Sequence, residues 1–331
     1  MRGRSGHSAL DGAGGGGDAA RVLILNTLAP VFLLVALGAV LQRTGFVSVN
    51  FLREANRVTY WLGLPALLFS QLAGSFHEAA GVKPMLGAMV VATLLSIVTA
   101  YLAGWAMRVP AAAAGTFVQG AFRGNLAFVG LPIIFTLPDA PLGAGLTVRS
   151  AAVITVAPMM VFYNVAAVVV LLVSQHPISW KMVRPFLKQL ATTPPLVATV
   201  AGVSCALLGW KLPASVDQTF ASLGEMALPL GLLGVGGSIV TSRLGGAWRW
   251  PLASALVKTV AGPVLGWAVG RGLGLGALEL KMVMILMACP AAIVSYTMAL
   301  EMKGDEAIAS GAIVLSVVTS LVTLAVIVGA F

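Results

Sequence analysis

Charge is what this chain has least of. Of its 331 residues 9% are Asp, Glu, Lys or Arg, where soluble domains carry about a quarter, while 59% are hydrophobic and the mean hydropathy is +0.97. That balance excludes an ordinary water-soluble globule. Acid is scarcest, 11 Asp+Glu against 20 Lys+Arg, so a membrane enzyme resting on paired His, Asp or Glu within its apolar runs lacks the groups it needs. The cysteines Cys205 and Cys289 sit inside apolar stretches without a C-x-x-C spacing, and His77 and His176 lie at loop edges, so neither a metal nor a cofactor is expected. No G-x-x-x-x-G-K-[ST] occurs, and a pump driven by nucleotide would need another subunit. The formal charge of +9 is scattered singly between apolar runs, which marks loops at a membrane face and sets nucleic acid aside as a partner.

What fills the chain is long apolar stretches, at about 22–41, 54–75, 84–107, 112–137, 146–173, 189–209, 214–240, 250–271, 281–301 and 305–330. Each is long enough to cross a hydrocarbon core about 30 Å thick as a helix. The expected architecture is an all-α integral membrane protein of ten spans in the lipid bilayer, with no room for a separate soluble domain. Residues 1–20, rich in Gly, Ala and Ser, read as a disordered tail, and the first stretch is too long for a signal-peptide core. Alternating loops carry ten Lys+Arg on one side and eight on the other. That bias puts the 174–188 loop in the cytoplasm and both termini outside, in the inner (plasma) membrane.

Prolines and glycines recur at a nearly fixed offset. Pro30 and Pro195 are 165 apart, Gly38 and Gly202 are 164 apart, and Pro65 and Pro229 are 164 apart, while Pro132 and Pro290 are 158 apart. The expected division is a first five-helix repeat over 21–173, the loop 174–188, and a second over 189–331. Five spans per half force the second half to enter the membrane from the opposite side, so the repeats are inverted, as in secondary transporters.

The fourth and ninth stretches are interrupted. One reads Phe122-Arg123-Gly124-Asn125-Leu126-Ala127-Phe128-Val129-Gly130-Leu131-Pro132, the other Cys289-Pro290-Ala291-Ala292-Ile293-Val294-Ser295-Tyr296. Proline removes a backbone donor and glycine eases unwinding, and backbone groups so freed must be buried in protein or line a wet cavity. Two meanings of such breaks stand side by side, a plain kink or a substrate site made of backbone whose half-helix N-termini attract anions. Arg123 inside a span either binds a carboxylate or snorkels to an interface. Asn125 either orients an anion or bonds a neighbouring helix, with Ser295 and Tyr296 as weaker counterparts. Glu225, one turn before Pro229, either carries a proton or forms a structural pair with Lys258, which itself could reach the headgroups. Gln71, Gln119, Tyr163 and Asn164 read as interhelical glue, and Met159-Met160 as packing.

Several of these segments resemble the auxin efflux carrier family of bacterial and plant transporters. The likeness is carried by Ala29-Pro30-Val31-Phe32 with Gly38, by Trp61-Leu62-Gly63-Leu64-Pro65 through Phe69, and most specifically by Asn125-x-x-Phe128-x-Gly130-Leu131-Pro132. Ala227-Leu228-Pro229-Leu230 with Gly234 and Pro290-Ala291-Ala292 leading to Ala299-x-Glu301 extend it over about 22–330. The resemblance implies a fold similar to bile acid/sodium symporters, with a scaffold of spans 1, 2, 6 and 7 that dimerises and a mobile unit of spans 3–5 and 8–10. It implies that spans four and nine are crossover helices meeting at Pro132 and Pro290 beside an anionic substrate, with Asn125 as the crossover asparagine. The chain departs from the pattern at Ala291, where a hydroxyl is frequent, and at Ser295, where an asparagine is frequent. It lacks the long cytoplasmic loop of many plant members and so resembles the compact bacterial type.

The reading is therefore a secondary-type carrier, not an enzyme, that moves a small organic anion by elevator-like alternating access. The substrate class is a mono- or dicarboxylate or an indole-acetate-like weak acid. The residues expected at its site are Asn125, Arg123, Gly130, Pro132, Pro290, Ala291, Ser295 and Tyr296, with Glu225 and Lys258 as candidates for coupling. A sodium-coupled symporter of the bile acid type and a membrane sensor that binds without transporting are the rival readings.

Overall fold

The computed structural model describes residues 29–30, 32–73, 79–135, 137–143, 145–175, 188, 192–210, 212–241 and 248–330. The tail 1–20, the first residues of the stretch 22–41, His77, His176 and nearly all of the 174–188 loop lie outside the described residues.

A backbone without water to bond must satisfy itself, and the apolar runs accordingly coil into helices. In order these are α1 (Phe32–Arg43), α2 (49–73), α3 (Lys83–Ala106), α4 (Ala111–Phe122), α5 (126–134) and α6 (Val148–Gln175). They continue as α7 (Pro194–Leu207), α8 (Ala214–Gly237), α9 (Arg249–Gly272), α10 (Ala277–Ala288), α11 (Val294–Glu301) and α12 (Glu306–Ala330). Among the described residues α3, α6, α8, α9 and α12 are long and apolar enough to cross a membrane. Among the described residues the one sheet is a small antiparallel pair, Pro141–Gly143 with Leu146–Thr147, in the loop before α6.

Small residues let α1, α2, α7 and α8 pack closely. A Cβ on Gly38 of α1 would lie 2.8 Å from the Leu233 Cα of α8, and one on Gly224 of α8 would lie 2.8 Å from the Leu67 Cα of α2. Helix α2 also runs along α7. The remaining helices pack among themselves, α3 on α9, α4 on α6, and both α9 and α10 on α12.

Three internal prolines share one local solution. The segments Thr59–Gly63, Leu126–Gly130 and Val257–Ala261 are single wide turns in which the N–H of Leu64, Leu131 and Gly262 reaches back five residues, to Thr59, Leu126 and Val257. Each wide turn ends two residues before a proline, Pro65, Pro132 or Pro263. The extra residue in the turn relieves the clash between the ring and the carbonyl one turn back, so the helix continues where a regular one would kink.

Candidate functional site

The chain leaves helical geometry between α4 and α5, at Arg123-Gly124-Asn125, and again between α10 and α11, from Cys289 to Ile293. The two breaks lie against each other and satisfy one another's backbone. The Asn125 N–H donates to the Pro290 carbonyl at 2.9 Å, the Ala292 N–H donates to the Arg123 carbonyl at 2.9 Å, and Gly124 pairs with Ala291 as an antiparallel bridge. Four half-helices thus end in one place, and α5 and α11 begin there. The Asn125 side chain caps α5 by accepting the Phe128 N–H at 3.3 Å.

Beside the breaks is a pocket of about 650 Å³, counted out through its open mouth. The breaks supply Arg123, Gly124, Asn125, Ala292 and Ile293; α6 supplies Met160, Tyr163 and Asn164; α2 supplies Leu64, Leu67 and Leu68; and α8 supplies Ala227 and Leu228. Its walls are mostly apolar, and Arg123, Asn125, Tyr163, Asn164 and Thr297 are its polar side chains. Arg123 is buried, 4% exposed, with one terminal nitrogen donating to the Asn164 Oδ1 and the other to the Met298 sulfur. Asn164 is held in turn by donating to the Thr199 Oγ1 of α7 at 3.1 Å. A guanidinium carries five N–H donors, so several remain for a ligand.

No carboxylate compensates that charge. Among the described residues the buried charged side chains are Arg123, Lys258 and Lys281, all cationic, and no Asp or Glu is buried. An unpaired charge in low dielectric is costly, and an anionic ligand is the direct way to offset it. Arg123 therefore does not snorkel; it faces the pocket.

Of the residues expected at the site, Arg123 and Asn125 line the pocket. Pro290 contributes its carbonyl and Ala291 its backbone pairing, while the Ala291 N–H is taken by the Ser316 Oγ at 2.9 Å. Ser295 is buried with its hydroxyl unpartnered, outside the pocket lining. Tyr296 points away, donating to the Glu306 Oε1 at 3.1 Å. Gly130 is a packing position, where a Cβ would lie 2.8 Å from the Leu286 Cδ2 and 3.1 Å from the Cys289 sulfur. The expected meeting of breaks at Pro132 and Pro290 is corrected in its first half. Pro132 lies inside α5, where the wide turn 126–130 absorbs its missing donor, and the chain opens instead at Gly124. Glu225 and Lys258 make no ion pair: Glu225 is exposed on α8, and Lys258 is 1% exposed, donating to the Met287 carbonyl rather than reaching the headgroups.

Asn164 and Tyr163, expected only as interhelical glue, line the pocket, as does Thr297, which the sequence did not single out. An amide at the centre of a 28-residue apolar helix was the available signal for Asn164. Leu64, Leu67 and Leu228 left none, being apolar residues in apolar helices.

A family model described as membrane transport protein, that of the auxin efflux carriers, matches residues 23–328. No curated protein matches the chain significantly.

Proposed function

The chain belongs to that membrane transport family, and from this premise we propose that it is a secondary carrier of a small organic anion. The observation that carries the proposal is Arg123, a buried cation in the wall of a mostly apolar pocket, with no buried acid among the described residues. A carboxylate would take the free guanidinium N–H groups, with the N-terminal ends of α5 and α11 adding partial positive charge. The apolar body of the anion would lie against Leu64, Leu67, Phe128 and Leu228. Mono- and dicarboxylates and indole-acetate-like acids all meet that description.

The proposed architecture is ten spans in two inverted five-span repeats, with α4–α5 and α10–α11 as the crossover helices. The packing supports it, since α1 lies on α8 as α2 lies on α7, which is how two inverted halves would exchange contacts. The proposed scaffold is α1, α2, α7 and α8, through which two copies would join, and the proposed mobile unit holds the breaks. The pocket lies between the two units, where an elevator motion would carry a bound anion from one face to the other. The proposed orientation in the inner membrane keeps the 174–188 loop in the cytoplasm and the termini outside.

Counterflow of radiolabelled acetate, malonate, succinate and indole-3-acetate in proteoliposomes, with and without pH and sodium gradients, tests the proposal. Saturable exchange of at least one anion, lost in Asn125→Ala, is the expected result. Binding of an anion without flux would establish a sensor in its place, and dependence on a sodium gradient would establish the symporter reading.

A further inference from the structure

We propose that the Lys258 ammonium is a built-in cation that holds the crossed breaks together, standing where a free metal cation would otherwise be needed. Three observations converge on it. The first is placement: Lys258 lies in the wide turn Val257–Ala261 of α9, is 1% exposed, and sits against the first break, a Cβ on Gly124 coming 2.9 Å from its Cε and 3.1 Å from its Nζ. A side chain at 124 would displace the ammonium.

The second is the acceptor. In an unbroken helix the Met287 carbonyl would receive the Ala291 N–H, but that N–H goes to the Ser316 Oγ at 2.9 Å, and Pro290 has none to give. The Met287 carbonyl, in the last turn of α10, is thereby left for Lys258, which donates to it. Helix C-termini carry partial negative charge, and unwound carbonyls of this kind coordinate sodium or protons in discontinuous transporter helices. The third is charge: the titratable group that acts on it is the Cys289 thiol, the first residue of the second break, and among the described residues no carboxylate is buried. A cation in this position bonded to main-chain oxygen, with no counter-ion, does what a bound alkali ion would do.

The consequence deepens the carrier reading and rests on it: the crossed breaks need no soluble cation, so transport of the anion proceeds without sodium. The test uses melting of the purified full-length chain, which needs no transported anion and so can succeed or fail apart from the carrier reading. The parent, Lys258→Gln and Lys258→Met are melted in sodium, lithium, potassium and N-methylglucamine chloride at equal ionic strength. The parent should melt alike in all four. Both variants should melt lower in N-methylglucamine, by roughly 5 °C or more, and sodium or lithium should restore Lys258→Gln, whose amide oxygen can help ligate the ion, more than Lys258→Met. Stabilisation of the parent by sodium, variants that melt with the parent, or a glutamine variant that no cation restores would each overturn the proposal. If neither variant folds, the salt series on the parent decides.

Discussion

Arg123 and its neighbours divide the work of the site between charge and position. Arg123 supplies charge, and Asn164 sets its direction while itself fixed by Thr199. Asn164→Leu keeps the volume and removes the acceptor, so the guanidinium loses its orientation; the expected cost is about 1.5–3 kcal/mol in anion binding, roughly ten- to a hundredfold in affinity, measured by saturation binding. Asn125 has a structural duty as well, capping α5. Asn125→Ala should lower stability by about 1 kcal/mol through the lost cap, seen as a small fall in melting temperature beside its loss of exchange. Arg123 and Asn125 were legible in the sequence because a charge and an amide interrupt an apolar run. Asn164 was visible as a residue but not as a partner, since its contact with Arg123 spans 41 positions that no local pattern encodes.

At the scale of elements, the wide turns decide what prolines mean. Pro132 marks a weak point in the sequence, yet the turn 126–130 restores the helix around it, and the break falls at Gly124, where the backbone of α11's approach can pair. Pro290 has no such turn before it and does open its helix. The difference was not legible because both prolines cost a donor and only the packing chooses how it is made good. Helix contacts set by glycine are more rigid. Gly38→Ala would drive a methyl into the main chain of α8, so α1 must move away; a loss of about 1–3 kcal/mol is expected from overpacking, read as a lowered melting temperature. In the loop before α6, the Asp139 carboxylate accepts the N–H of Arg149, in the first turn of that helix, at 3.0 Å, and this bond, with one from Thr147, holds the carboxyl below its ordinary value. A depressed carboxyl contributes stability above its ordinary pKa and loses it as pH falls through the lowered one. Hydrogen exchange at the Arg149 amide should therefore quicken only below about pH 4, and Asp139→Asn should quicken it at neutral pH.

For the whole molecule, composition alone carried the membrane assignment, and the family match agrees with it. The pocket draws on α2 and α8 on one side and on the breaks and α6 on the other, so a ligand there touches both units of the proposed elevator. This assembly was beyond the reach of sequence, because its walls are leucines indistinguishable from those that face lipid. In the carrier reading the uncompensated Arg123 holds the anion. The affinities of purified parent and Arg123→Met for an anion found by counterflow, with melting of both proteins followed alongside, decide it. At least a roughly tenfold loss of affinity is expected in a protein that still unfolds in one cooperative transition, the melting curve reading separately the bond to Asn164 that the substitution removes. An Arg123→Met protein that is folded and binds the anion as tightly as the parent would contradict it.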